Sequence, residues 1–184
     1  NRNAWWADVL EHGAASPYAA FFDIDWAPVK PELANKVLLP ILGDHYGAVL
    51  DSGQLRLEFA DGVFTVRYHD TVLPVAPRTY VQLLRHRLPE LERVLGSAHP
   101  DLLALKRVHD QFLTLPHRTE TEPARLAARQ REQQIATEAF RALLAASGDI
   151  RDFVEDNVRR FNGTPGEPAS FDLLDGLLRD QVYR

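Results

Sequence analysis

The 184-residue sequence contains no cysteine and no methionine. Without cysteine there is no disulfide framework, no thiol nucleophile and no thiolate metal site, a usage that fits a reducing cytoplasm. Apolar runs are short: the longest, around Val37 to Leu42, falls far below the roughly 20 residues a membrane-spanning helix requires. Basic residues are also too dispersed to form a nucleic-acid footprint, and 21 Lys and Arg against 26 Asp and Glu leave a formal net charge of -5. Neither a membrane nor a nucleic acid is therefore expected as a partner. No glycine-rich phosphate loop or serine-nucleophile elbow occurs, and the seven histidines are not spaced for metal ligation, so no cofactor or metal is expected.

The residues present describe an ordinary globular chain, 45% hydrophobic and 26% charged. Its length suits one sizeable domain that buries about 70% of the surface its unfolded form exposes. The composition divides it into residues 1–77, an aromatic loop with a small β-sheet, and residues 78–184, a helical part.

Asp61-Gly62 is the clearest local signal. A two-residue type I′ turn needs positive φ at both positions, and here it separates two alternating runs. Pairing outward sets Ala60 opposite Val63, Phe59 opposite Phe64, Leu57 opposite Val66, and Leu55 opposite Tyr68. The last three pairs share one apolar face, and Arg56, Glu58, Thr65 and Arg67 occupy the other, which fixes the register. A third strand is expected near Val72 to Val75, because two strands alone are marginal.

Around the hairpin the sequence predicts a helix over Ala4 to His12, an extended segment at a sheet edge over Lys36 to Leu42, and a helical turn from Tyr46 to Leu50. Beyond Pro77 the periodicity becomes helical. Thr79 is expected to cap a helix carrying Val81, Leu83 and Leu84, and Pro89 to start one closed by Gly96. Pro100 begins another that ends before Pro116. The longest runs from Thr121 and Pro123 to Gly148, with Gln, Glu and Arg on its outer face. A helix through Ile150, Phe153, Val154 and Val158 breaks at Asn162 to Gly166, and Ser170 is expected to cap the last. The fold class is α+β, predominantly helical.

Chemistry is concentrated near the start. In Ser16-Pro17-Tyr18-Ala19-Ala20-Phe21-Phe22-Asp23-Ile24-Asp25-Trp26, aromatic rings and carboxylates alternate close to Trp5-Trp6. Rings cover the apolar face of a pyranose and carboxylates accept its hydroxyl protons, so this mixture suits a sugar site. On the residues alone the more ordinary reading is a buried aromatic anchor with two exposed acids. Gly43-Asp44-His45-Tyr46-Gly47 reads either as a surface turn or as a loop at a cleft rim, and His69-Asp70 either as an exposed strand-end pair or as an oriented imidazole.

The ordered succession of Trp5 to Gly13, Ser16 to Trp26, and Lys36 to Gly47 closely resembles the maltooligosyl trehalose synthases, members of the α-amylase superfamily of glycoside hydrolases. The resemblance continues through Leu55-Arg56-Leu57, Val66 to Asp70 and Leu73 to Pro77, and returns at Leu177 to Arg184. It implies that residues 1–184 are an excised insertion following the third strand of a (β/α)8 barrel, and that the nucleophilic and acid/base carboxylates lie elsewhere in the parent chain. No catalytic residue is then carried over, and the piece alone would be inactive.

The implied reaction converts the reducing-end α-1,4 bond of a maltooligosaccharide to an α,α-1,1 bond by intramolecular transglucosylation, in trehalose biosynthesis. Its implied partners are the maltooligosaccharide and the parent's barrel. Substrate contacts are expected at Trp6, Phe22, Asp23, Trp26, His45, Tyr46, Tyr68 and Tyr183, as the lid or wall of a cleft. Bare hairpin edges and an exposed apolar patch would mark the surface that meets the barrel, and an isolated piece could pair through that surface as an artificial homodimer. A stand-alone carbohydrate-binding or structural module is the alternative.

Overall fold

The computed structural model describes residues 3–184. Helix α1 (Ala4–His12) is capped by Asn3, whose Oδ1 accepts the Trp5 and Trp6 amides. Helix α2 (Tyr46–Asp51) leads into strands β1 (Leu55–Ala60), β2 (Val63–Tyr68) and β3 (Thr71–Pro74). They form an antiparallel sheet in the order β1-β2-β3 with the anticipated register, Leu55 opposite Tyr68 through Ala60 opposite Val63. Asp61 and Gly62 take φ values of 50° and 73°, as the hairpin turn requires. The remaining helices are α3 (Tyr80–Arg85), α4 (Leu88–Leu95), α5 (Pro100–Thr114), α6 (Pro123–Ala146), α7 (Gly148–Phe161) and α8 (Asp172–Arg179). The fold is α+β and mostly helical.

The apolar face of the hairpin sits against the helices through an aromatic cluster. Phe64 of β2 lies 4.7 Å from the Tyr80 ring and 4.6 Å from Phe59, and Phe112 of α5 lies 5.0 Å from Tyr80. Phe140 of α6 contacts Phe59, Phe64 and Phe112. Phe64, Phe112 and Phe140 are completely buried, each contributing about 1.5–3 kcal/mol through removal from water. Core residues on both sides of position 77 belong to one buried cluster.

Buried polar side chains tie the elements together. Asn162, just after α7, accepts the Leu57 amide (2.7 Å) and donates to the Leu57 carbonyl (2.9 Å), standing in for a neighbouring strand along β1. At Leu57 the outer side of β1 is therefore paired. Gln181 is fully buried; it accepts the Ala76 amide and donates to Thr79 Oγ1 and the Leu177 carbonyl.

Several local expectations change. Lys36 to Leu42 does not join the sheet: Val37 bridges Tyr183 in parallel, and its amide donates to Val182 while its carbonyl accepts from Arg184. Thr79 caps nothing, because a 3₁₀ turn over Pro77–Thr79 precedes α3 and its hydroxyl donates to the Ala76 carbonyl. Gly148 begins α7 instead of ending α6, since the Ser147 hydroxyl accepts the Ile150 amide and caps the new helix. α6 begins at Pro123, with Thr121 outside it and Glu122 at the cap position, and Ser170 closes a turn through Thr164 and Glu167.

Candidate functional site

Two surfaces collect the unusual chemistry. On the first, Asp8 of α1 and Tyr18 of the following loop are drawn together by Ser16, whose hydroxyl donates to Asp8 Oδ1 (2.5 Å) and accepts the Tyr18 amide (3.1 Å). The loop after α1 is thereby folded back on the helix. Tyr18 then stacks on Trp5 with centroids 5.3 Å apart and planes within 5°, and Phe21 also stacks on Trp5, at 5.3 Å. Trp5 is 49% and Phe21 69% exposed. Large rings stacked yet open to water form the kind of platform on which the apolar face of a sugar lies.

Beside Tyr18 runs a groove of about 720 Å³ between α1 and α6, lined by polar side chains that include Asp8, Ser16, Gln130, Gln134 and Thr137. This volume lies within the range of small-molecule sites; the side-chain amides both donate and accept hydrogen bonds, and the carboxylates accept them. Its inner wall is ionic. The Arg129 guanidinium is almost wholly buried; Nη1 donates to the Ala15 carbonyl (2.6 Å) and Nη2 lies 3.9 Å from Asp8. Gln133 Nε2 donates to Glu11 Oε1 (2.6 Å), and His12 Nε2 lies 3.4 Å from the same oxygen. Burial pushes the Glu11 carboxyl up to about 7, whereas burial and the Arg129 charge bring the His12 imidazole down to about 4.

A second groove, about 420 Å³ and mainly apolar, lies between residues 36–42 and α8. Leu38, Leu42, Leu73 and Leu178 line it, with Tyr46 and Asp175 on its wall. Tyr46 donates to Asp175 Oδ1 (2.7 Å), and Arg179 pairs with the other carboxylate oxygen at 2.6 Å. Burial and this hydrogen bond raise the Tyr46 phenol above its ordinary range.

The anticipated site residues divide among these places. Trp6 and Phe22 are half-buried and in ring contact at 5.0 Å, while Asp23 is exposed beside them. Trp26 is half-buried and packs on the core. Tyr46 and Tyr183 line the apolar groove; His45 is exposed at the start of α2. Tyr68 and Tyr183 are each 5% exposed. Tyr68 Oη accepts the Gly43 amide (2.9 Å), and Tyr183 Oη donates to the Pro74 carbonyl (3.0 Å). Both hydroxyls are thus spent on backbone groups of the chain itself.

Trp5, Tyr18, Phe21, Glu11 and Arg129 were not among the anticipated site residues. Trp5, Tyr18 and Phe21 belong to the aromatic segments that drew attention. Arg129 gives no such signal, because an arginine in a Gln/Glu/Arg-rich helix reads as solvated. Among the described residues, no group of three or more His, Asp or Glu side chains is arranged to hold a metal, and no helix is long and apolar enough to cross a membrane.

No family model matches the sequence, and no solved structure matches it. Over 77 residues the chain is 46% identical to "Putative maltooligosyl trehalose synthase" of Mycobacterium tuberculosis strain ATCC 25618 / H37Rv, and equally to the protein of the same name from strain CDC 1551 / Oshkosh. The matched stretch covers 41% of this chain and 8% of each relative. In that stretch the chain is related to a protein named for trehalose biosynthesis.

Proposed function

We propose that this chain forms part of the wall or lid of the active-site cleft in a maltooligosyl trehalose synthase. The supporting observation is the 46% identity over 77 residues to proteins of that name. The exposed stack of Phe21, Trp5 and Tyr18 beside a polar groove agrees with a surface that handles sugar rings.

The reaction is a double displacement. A carboxylate of the parent, outside these residues, attacks the anomeric carbon while a carboxylic acid protonates the departing C4 oxygen of the reducing-end glucose. The retained glucose turns, its anomeric hydroxyl gives up a proton to the same acid/base group, and its oxygen attacks the glycosyl-enzyme to form the α,α-1,1 bond. Attack by water at that stage hydrolyses the chain instead. A wall that keeps glucose in place and excludes water therefore sets the partition between isomerisation and hydrolysis. The apolar groove beside Leu38 is where the parent's barrel would pack.

The test is a parent enzyme carrying Trp5→Ala, assayed with maltopentaose for both the trehalosyl product and free glucose. A higher ratio of glucose to trehalosyl product is expected. An unchanged ratio, with only a raised KM, would favour a carbohydrate-binding module; turnover by the isolated chain would overturn the placement of the reacting carboxylates elsewhere.

A further inference from the structure

We infer that the small cavity behind the polar groove is a binding site for a tetrahedral oxyanion, held by Arg78, Arg118 and Arg129. These side chains reach one cavity of about 50 Å³ from three places: the turn after β3, the α5–α6 connection and α6 itself. A water needs about 10–15 Å³ of comparable space, so the cavity takes a phosphate or sulfate group but not a pyranose ring.

Each arginine spends one terminal nitrogen on backbone carbonyls. Arg78 Nη1 donates to Leu113 (2.5 Å) and Leu115, at the end of α5. Arg118 Nη1 donates to Asp180 (2.5 Å) and Gln181, past the end of α8, and Arg129 Nη1 to Ala15. A guanidinium carries five N–H groups, so these bonds position the arginines without exhausting them. Arg118 Nε is buried and has no hydrogen-bond partner among the described residues. The residue as a whole is half-buried, but a buried donor left without an acceptor is costly.

The acids nearby do not cancel this charge at close range. The Asp8 carboxylate oxygen nearest Arg129 is 3.9 Å away and already accepts the Ser16 hydroxyl. Asp180 Oδ2 accepts from Gln82, and the raised Glu11 favours its neutral form below about pH 7. His117 shows the resulting field: burial, then Arg118 and Arg78, lower its pKa. A compact oxyanion supplies the missing negative charge and matches the forked donors of arginine.

The source of the oxyanion is either free phosphate or sulfate, or the phosphoryl group of a sugar phosphate. Thermal unfolding of the chain at pH 7 and constant ionic strength, with phosphate, sulfate, glucose 6-phosphate or chloride added, distinguishes them. A ligand that binds only the folded state raises the midpoint in a saturable manner. A rise with phosphate and sulfate, with broadening of the phosphate ³¹P resonance, is expected; a rise only with glucose 6-phosphate assigns the site to a phosphorylated sugar. R118K retains the charge and a donor for the Asp180 carbonyl but loses Nε and the fork, and is expected to weaken binding at least tenfold. No broadening of the ³¹P resonance of either phosphate or glucose 6-phosphate, a midpoint shift equalled by chloride, or wild-type affinity in a folded R118K protein would overturn the assignment. Should R118K not fold, the ³¹P titration of the unmodified chain decides alone.

Discussion

Trp5 and Tyr18, thirteen positions apart, stack with planes within 5° and centroids at 5.3 Å. The contact depends on a hydroxyl: Ser16 binds Asp8 on α1 and the Tyr18 amide in the loop, bringing the phenol ring over the indole. Removing the indole leaves the Tyr18 ring without its support while touching little of the core, since Trp5 is half exposed. Trp5→Ala is expected to weaken maltooligosaccharide binding about tenfold, comparable to the roughly 0.5–1.5 kcal/mol of an aromatic pair, and to leave the urea midpoint nearly unchanged. Calorimetric titration checks the first and chemical unfolding the second.

Asn162→Ala is expected to cost about 2–3 kcal/mol in urea unfolding. The substitution removes one bond to the Leu57 amide and one to its carbonyl, and both backbone groups lie on the otherwise unpaired side of β1. Asn162→Asp keeps an acceptor for the amide but sets a carboxylate against the carbonyl. It is expected to be at least as damaging above the carboxylate's pKa.

Two glycines at positive φ provide a comparison. An added Cβ at Gly62 (φ 73°) would lie 2.8 Å from Arg141 Cγ, part of a flexible side chain that also holds the Asp61 carbonyl at 2.7 Å. At Gly163 (φ 59°) it would lie 2.8 Å from the ring of Phe171, which is 1% exposed and cannot withdraw. Gly62→Ala is expected to cost about 1–2 kcal/mol, mainly for the left-handed backbone, and Gly163→Ala about 1–3 kcal/mol more through overpacking. Equal losses in thermal unfolding would contradict this account.

The hairpin was legible because its information is local: Asp-Gly chooses the turn, and alternation from Leu55 to Tyr68 chooses the register. Helix limits were less so where a neighbouring hydroxyl decides them, as at Ser147, which turned an expected stop at Gly148 into a start. The aromatic segments announced a ring-rich surface, but the Trp5–Tyr18 pairing needs the Ser16–Asp8 bond, a tertiary contact with no periodicity. Arg129 was least legible. Its burial follows from α1 docking against a helix face whose composition resembles a solvated one.

That docking makes stability depend on pH through two opposing titrations. Glu11 binds its proton more tightly when folded, at about 7 against an ordinary 4.5, so deprotonation across that interval lowers stability as pH rises. His12 binds its proton less tightly when folded, at about 4 against 6.5, so its contribution rises with pH over that interval. The two slopes oppose each other between pH 4.5 and 6.5, leaving the Glu11 decline exposed from 6.5 to about 7. Glu11→Gln preserves the size of the side chain and removes the falling component, about 3 kcal/mol across its full window. Urea midpoints for the variant are expected to climb from pH 4.5 to 6.5 and then level, whereas those of the unmodified chain change little and dip near neutrality. Parallel curves for the two proteins would show that Glu11 does not carry the titration.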